Sequence, residues 1–152
     1  MDLDLCEVLD DRLVKFDFPG NTKEEVIKSI AAIMYEAGKV ADINEYIEGV
    51  IQREKECETG IGRGVAIPHC KNGAVKQASF ALVQLKNNIE WGSLDGAPVN
   101  YVIMLAAPNT EDNVHLRMLS QLAKNLMDDD FLYTLTHAKS IEQIKNLFKG
   151  RC

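Results

Sequence analysis

The run VNYVIMLAA, Val99 to Ala107, is nearly free of polar side chains. A strand with one wet face alternates apolar and polar residues. A near-continuous apolar run needs cover on both faces. This stretch therefore predicts the central strand of a sheet with helices packed on either side, and the rest of the chain has to supply those helices and neighbouring strands.

It does so in mixed order. LVKFDF, Leu13 to Phe18, alternates as a strand and is broken by Pro19-Gly20. Asn21 or Thr22 can cap a helix reaching about Ala37, with Val26, Ile30, Ile33 and Ala37 as its apolar stripe and Gly38 as its stop. Asp42 with Glu45 resembles a capping box for a second helix, whose apolar line is Ile43, Tyr46, Ile47, Val50 and Ile51. Its charged end, REKECE, carries Arg53; Glu54, Glu56 and Glu58 there read as a solvated face. A short strand is expected at Val65–Ile67 and a strand at Ser79–Leu85, then a short strand and a turn at Asp95-Gly96 in NIEWGSLDG. A third helix spans roughly Asp112 to Met127, a short one follows Asp128–Asp130, and Ser140 with Gln143 caps the last. The expectation is one α/β domain over residues 1–152, with a mixed sheet of about five strands flanked by helices on both sides.

The charge balance narrows the function. Basic residues number 17 and acidic ones 23, for a net charge of -6, which argues against general nucleic-acid binding. No apolar run approaches the ~18 residues of a membrane span, and the acidic start lacks the build of a signal peptide, so a cytoplasmic location is expected. Cys6, Cys57, Cys70 and Cys152 form no CxxC pair, so no zinc ribbon or thioredoxin motif is indicated and free thiols are expected.

The stretch TGIGRGVAIPHC, Thr59 to Cys70, carries the chemistry. It fails as a P-loop, because Gly64 is followed by Val65 and Ala66, and as a dinucleotide fingerprint, because it follows a helix. Glycines let the backbone approach a ligand closely, and its N–H groups can bind an anion. Pro68 then holds the approach to His69 stiffly. An imidazole, with a reference pKa of about 6.5, is largely an uncharged nucleophile near neutral pH. On spacing alone a structural histidine capping a strand end is favoured.

His115 falls in the first turn of the third helix, in line with Leu119, Leu122 and Leu126, so it is expected to face inward beside the end of the central strand. A helix N-terminus favours anions, and a histidine there suits a phosphate oxygen; the competing reading is a satisfied core histidine. Arg53 is of the residue type that binds phosphate bidentately, or else a plain surface charge. His137, in a polar turn, is given no role. Cys70 should point away from His69, since neighbours on a strand face opposite ways, and reads as a small buried filler.

Together REKECETGIGRGVAIPHC, WGSLDGAPV, YVIMLAAP and HLRMLSQLAKNLMDD resemble the EIIA component of the bacterial sugar phosphotransferase system, fructose/mannitol type. The resemblance covers nearly the whole chain, and TGIG-x-G-x-AIPH is its most specific piece. It implies a cytoplasmic phosphocarrier that takes a phosphoryl group from the carrier protein HPr and passes it to a cysteine of EIIB during sugar uptake, with membrane EIIC involved only indirectly. It implies His69 as the phosphorylated nucleophile, His115 as the second active-site histidine, Arg53 close by, and Thr59 and Gly60 as phosphate-binding positions. No cofactor or metal is implied. Cys70, where many fructose-type relatives have glycine, and Arg63 leave the sugar open; DGAPV and AAP lean to the fructose branch. Two other readings stand beside this one: a regulatory protein of the nitrogen-related branch, and a cysteine hydrolase using Cys57 or Cys70, for which no oriented Cys-His pair is visible.

Overall fold

A computed structural model of the chain describes residues 5–110 and 113–149. The order of elements is α1 (Leu5–Val8), β1 (Val14–Phe18), α2 (Lys23–Glu36), α3 (Ile43–Glu56), β2 (Gly60–Gly62), β3 (Val65–Ala66), β4 (His69–Asn72), β5 (Ser79–Ile89), β6 (Val99–Pro108), α4 (Val114–Leu126), α5 (Asp129–His137) and α6 (Ile141–Lys149), with a 3-10 turn at Asp11–Leu13.

The sheet runs β1-β5-β6-β3-β2, and β4 also pairs with β6. The apolar run is β6, at the centre as expected. It is antiparallel to β5 and parallel to β3 and β4. From Tyr101 to Ala107 its side chains alternate between two cores. Val102, Met104 and Ala106 pack with α2 and α3, while Tyr101, Ile103, Leu105 and Ala107 pack with α4, α5 and α6. This double cover is why the run has no polar alternation.

Among the described residues the sheet has six strands, where about five were expected. Gly60–Gly62 is a strand rather than a loose loop, antiparallel to β3 through Gly60↔Ala66. Gly62, Arg63 and Gly64 turn the hairpin, all with positive φ (94°, 59° and 82°), a conformation glycine adopts freely. β3 and β4 lie in sequence along the same edge of β6, Ala66 opposite Val102 and His69 opposite Leu105, with Ile67 and Pro68 between them. Proline offers no N–H to the ladder, so the strand is interrupted there, although the Pro68 carbonyl still accepts from the Leu105 amide of β6 at 3.0 Å. In addition, β5 continues to Ile89 through a register shift, so no separate strand forms at Asn88–Trp91.

The caps follow the sequence. Thr22 accepts from the Glu25 amide and Asp42 from the Glu45 amide, at 3.1 Å each. The turn at Asp95-Gly96 is closed by the Gly96 amide on the Ser93 carbonyl. The third long helix begins at Val114, with Asn113 before it in left-handed geometry; Asp112, the expected start, lies outside the described residues. Cys57 and Cys70 are free thiols, but Cys6 is disulfide-bonded, against the expectation of free thiols throughout; Cys152 lies outside the described residues.

Candidate active site

Where β4 and β6 end, α3 and the start of α4 stand apart and leave a cavity of about 510 Å³. α3 lines it with Gly49, Arg53 and Glu56, β4 with His69 and Lys71, and α4 with His115. Residues far apart in sequence thus meet at one end of the sheet.

His69 opens β4. Its Nδ1 lies 2.8 Å from the carbonyl oxygen of Ile67. A carbonyl only accepts, so Nδ1 carries the proton and the neutral ring keeps its lone pair on Nε2. Burial pushes the imidazole below its ordinary value and Arg53 adds to this, while the Ile67 carbonyl and the Glu54 carboxylate oppose it. Near neutral pH the ring is uncharged, the form in which an imidazole can act as a nucleophile. His115 has its pKa lowered as well, first by burial and then by the charges of Lys71 and His69. Its buried Nδ1 has no hydrogen-bond partner. One imidazole is held and the other is open to an incoming acceptor or donor.

Arg53 stands in the last turn of α3, where the negative end of the helix dipole favours a cation. Lys71, which the sequence reading passed over, shares the cavity; two residues beyond His69 on the same strand, it falls on the same face. Cys70, between them on β4, packs against α3, where a Cβ on Gly49 would lie 2.3 Å from its Sγ, and it too borders the cavity. Burial, with help from Glu45, pushes its thiol up to about 11, so the thiolate a cysteine hydrolase needs is scarce.

Thr59 and Gly60 do not line the cavity. Both are buried in the glycine hairpin, and the Thr59 hydroxyl and amide both donate to Glu54. Glu54 is itself the main departure from the sequence reading. It is no solvated residue: it is 6% exposed, ion-paired with Lys23 at 3.0 Å. The signal was present in the spacing, since Tyr46, Val50 and Glu54 follow at intervals of four on one helix face. Charge alone made Glu54 look solvent-facing. Arg63, for its part, points away from the cavity to an ion pair with Asp129.

Comparisons with known proteins give the family. The family model for the phosphoenolpyruvate-dependent sugar phosphotransferase system, EIIA 2, matches residues 7–150, and the chain belongs to that family. It is therefore a phosphotransferase, a phosphocarrier of the sugar phosphotransferase system. The fructose-specific EIIABC component of Bacillus subtilis is 35% identical over 92% of this chain, which spans only 22% of that protein's length. The fructose-specific EIIA component of Haloferax volcanii is 28% identical over 95% of this chain and 94% of its own. Among solved structures, nitrogen regulatory protein IIA-Ntr of Neisseria meningitidis superposes with a TM-score of 0.85 at 26% identity, covering 94% of this chain and 97% of that one. Enzyme IIA-Mtl of Escherichia coli, solved in complex with phosphorylated enzyme IIB-Mtl, gives 0.80 at 25% identity, covering 94% and 98%. Among the described residues no helix is long and apolar enough to cross a membrane.

Proposed function

We propose that His69 is the phosphoryl acceptor, that the donor is phosphorylated HPr, and that the group passes on to a cysteine of an EIIB partner during sugar uptake, with fructose-type sugars favoured. The observation that carries this reading is the Nδ1 contact with Ile67 in a cavity shared with His115 and Arg53. The Nε2 lone pair attacks phosphorus in line, the N–P bond of the donor breaks, and the donor imidazole leaves with that electron pair. No proton has to leave Nδ1 for the new bond to form. His115 donates to the phosphoryl oxygens, and Arg53 neutralises their charge; such transfers depend on positioning and electrostatics more than on covalent help. The acceptor thiolate then reverses the sequence at His69. In this reading the chain acts as one EIIA unit in the cytoplasm, meets membrane EIIC only through EIIB, and uses no metal, cofactor or nucleic acid.

Incubation with phosphorylated HPr, then intact-mass analysis and site mapping, tests it. One acid-labile phosphoryl group on His69 is expected. Absence of label with a competent donor would overturn the assignment. The regulatory alternative is favoured by the likeness to a nitrogen regulatory protein. Productive transfer to a sugar-pathway EIIB separates the two, since a purely regulatory protein would not support it.

A further inference from the structure

Glu54 is out of place by every local rule. It is an acidic residue in the last turn of α3, at the negative end of the helix dipole, and its side chain is only 5% exposed. A buried carboxylate persists where its oxygens are fully engaged. Here Lys23 from the start of α2 supplies one partner at 3.0 Å. The Thr59 amide donates to the same oxygen at 3.2 Å, and the Thr59 hydroxyl donates to the other.

From Thr59 the contacts run on without a gap. The Ile67 amide donates to the Thr59 carbonyl at 3.0 Å, and the Ile67 carbonyl accepts from His69 Nδ1 at 2.8 Å. The Ile67 amide and carbonyl lie in consecutive peptide planes joined at its Cα, and because Pro68 restricts the rotation between them, the direction of the carbonyl follows where Thr59 holds the amide. We propose that Glu54 is a positioning residue for His69: its carboxylate pins Thr59, Thr59 holds the Ile67 amide, and the Ile67 carbonyl, restrained by Pro68, keeps the proton on Nδ1 and the lone pair on Nε2. Arg53 and Glu54, adjacent on α3, then divide the work, one beside the reacting group and one behind the nucleophile. The inference rests on the reading of His69 as nucleophile, but the tautomer is measurable whether or not that reading holds.

The test uses the whole chain with 15N-labelled histidine, comparing wild type, Glu54→Gln and Thr59→Val at neutral pH. Long-range 1H–15N correlations report each ring's tautomer, with His115 as the internal reference. In wild type His69 is expected as the Nδ1–H form. In Glu54→Gln it should become a mixture, His115 should be unmoved, and the rate of phosphoryl acceptance should fall by up to about 100-fold, the scale for a roughly 1 Å misplacement. A folded Glu54→Gln protein with the wild-type tautomer and rate would overturn the proposal. If that variant does not fold, Thr59→Val, which removes only the hydroxyl, decides: a smaller shift of the same sign supports the proposal, and an unchanged His69 signal defeats it. Failure of wild type to take label from HPr would count against the phosphocarrier assignment alone, because the tautomer comparison would still decide the role of Glu54.

Discussion

The Nδ1 of His69 and the carbonyl oxygen of Ile67, two residues earlier, lie 2.8 Å apart across Pro68. The contact assigns the ring proton and so the reacting nitrogen. The phosphoryl group is expected on Nε2, read by 15N–31P coupling in the labelled protein; attachment at Nδ1 would refute the tautomer argument. His69→Ala should abolish acceptance, since no other imidazole in the cavity is held this way, and normal labelling of that variant would sink the assignment.

His115 gives a different signature. Its Nδ1 is unpartnered, so the ring adds nothing to the nucleophile itself but offers a donor to developing charge. His115→Ala should still be labelled on His69, while onward transfer to EIIB slows by about 100-fold, the low end for losing one such donor. Rapid-quench transfer at the wild-type rate would remove His115 from the chemistry.

The two lowered histidine pKa values predict how stability and rate depend on pH. Both rings resist protonation in the folded state, so below about pH 6.5 the unfolded chain binds more protons. Stability is then fully present above that pH and is lost as pH falls through the lowered folded values. Asp10, held well below the usual carboxylate range by Arg12 and also by Lys39, titrates in a far more acid window and does not blur the effect. Urea unfolding at pH 7.5 and 5.5 should show the loss, and His69→Gln with His115→Gln should reduce it. The acceptance rate should fall with acid too, with a midpoint below the ordinary histidine value; a midpoint above it would contradict the burial argument.

Gly49 sets how closely α3 lies on β4. A methyl there would meet Cys70 Sγ at 2.3 Å and Asn72 Nδ2 at 2.8 Å. Gly49→Ala should cost about 1–3 kcal/mol, the usual scale of overpacking, and displace Arg53 from His69. Adding Cys70→Ala should recover part of both losses, since it removes the closer clash and leaves Asn72. Thermal unfolding of the single and double variants measures the coupling; strict additivity would show that Cys70 is not what Gly49 accommodates.

Much of this protein was legible in its residues. The unbroken apolar character of Val99 to Ala107 required a doubly covered strand, and β6 is one. Thr22 and Asp42 announced their helices because capping is local chemistry. His69 and His115 were flagged by where they stood, at the mouth of a strand and the first turn of a helix, and they do share a cavity. Less legible was the glycine stretch. Its residues look like an open anion-binding loop, yet they form a hairpin whose donors at Thr59 are turned inward.

Glu54 marks the limit most clearly. The sequence alone determined the alternation, the caps and the breaks, since these depend on neighbours a few residues away. It also offered the residue types that phosphoryl chemistry needs. Only the tertiary structure decided which side chains meet and how a buried charge is compensated. A carboxylate on the buried line of α3 is tolerable only because Lys23 and Thr59, from two other segments, close around it. Such compensation depends on distances in space that no local pattern records.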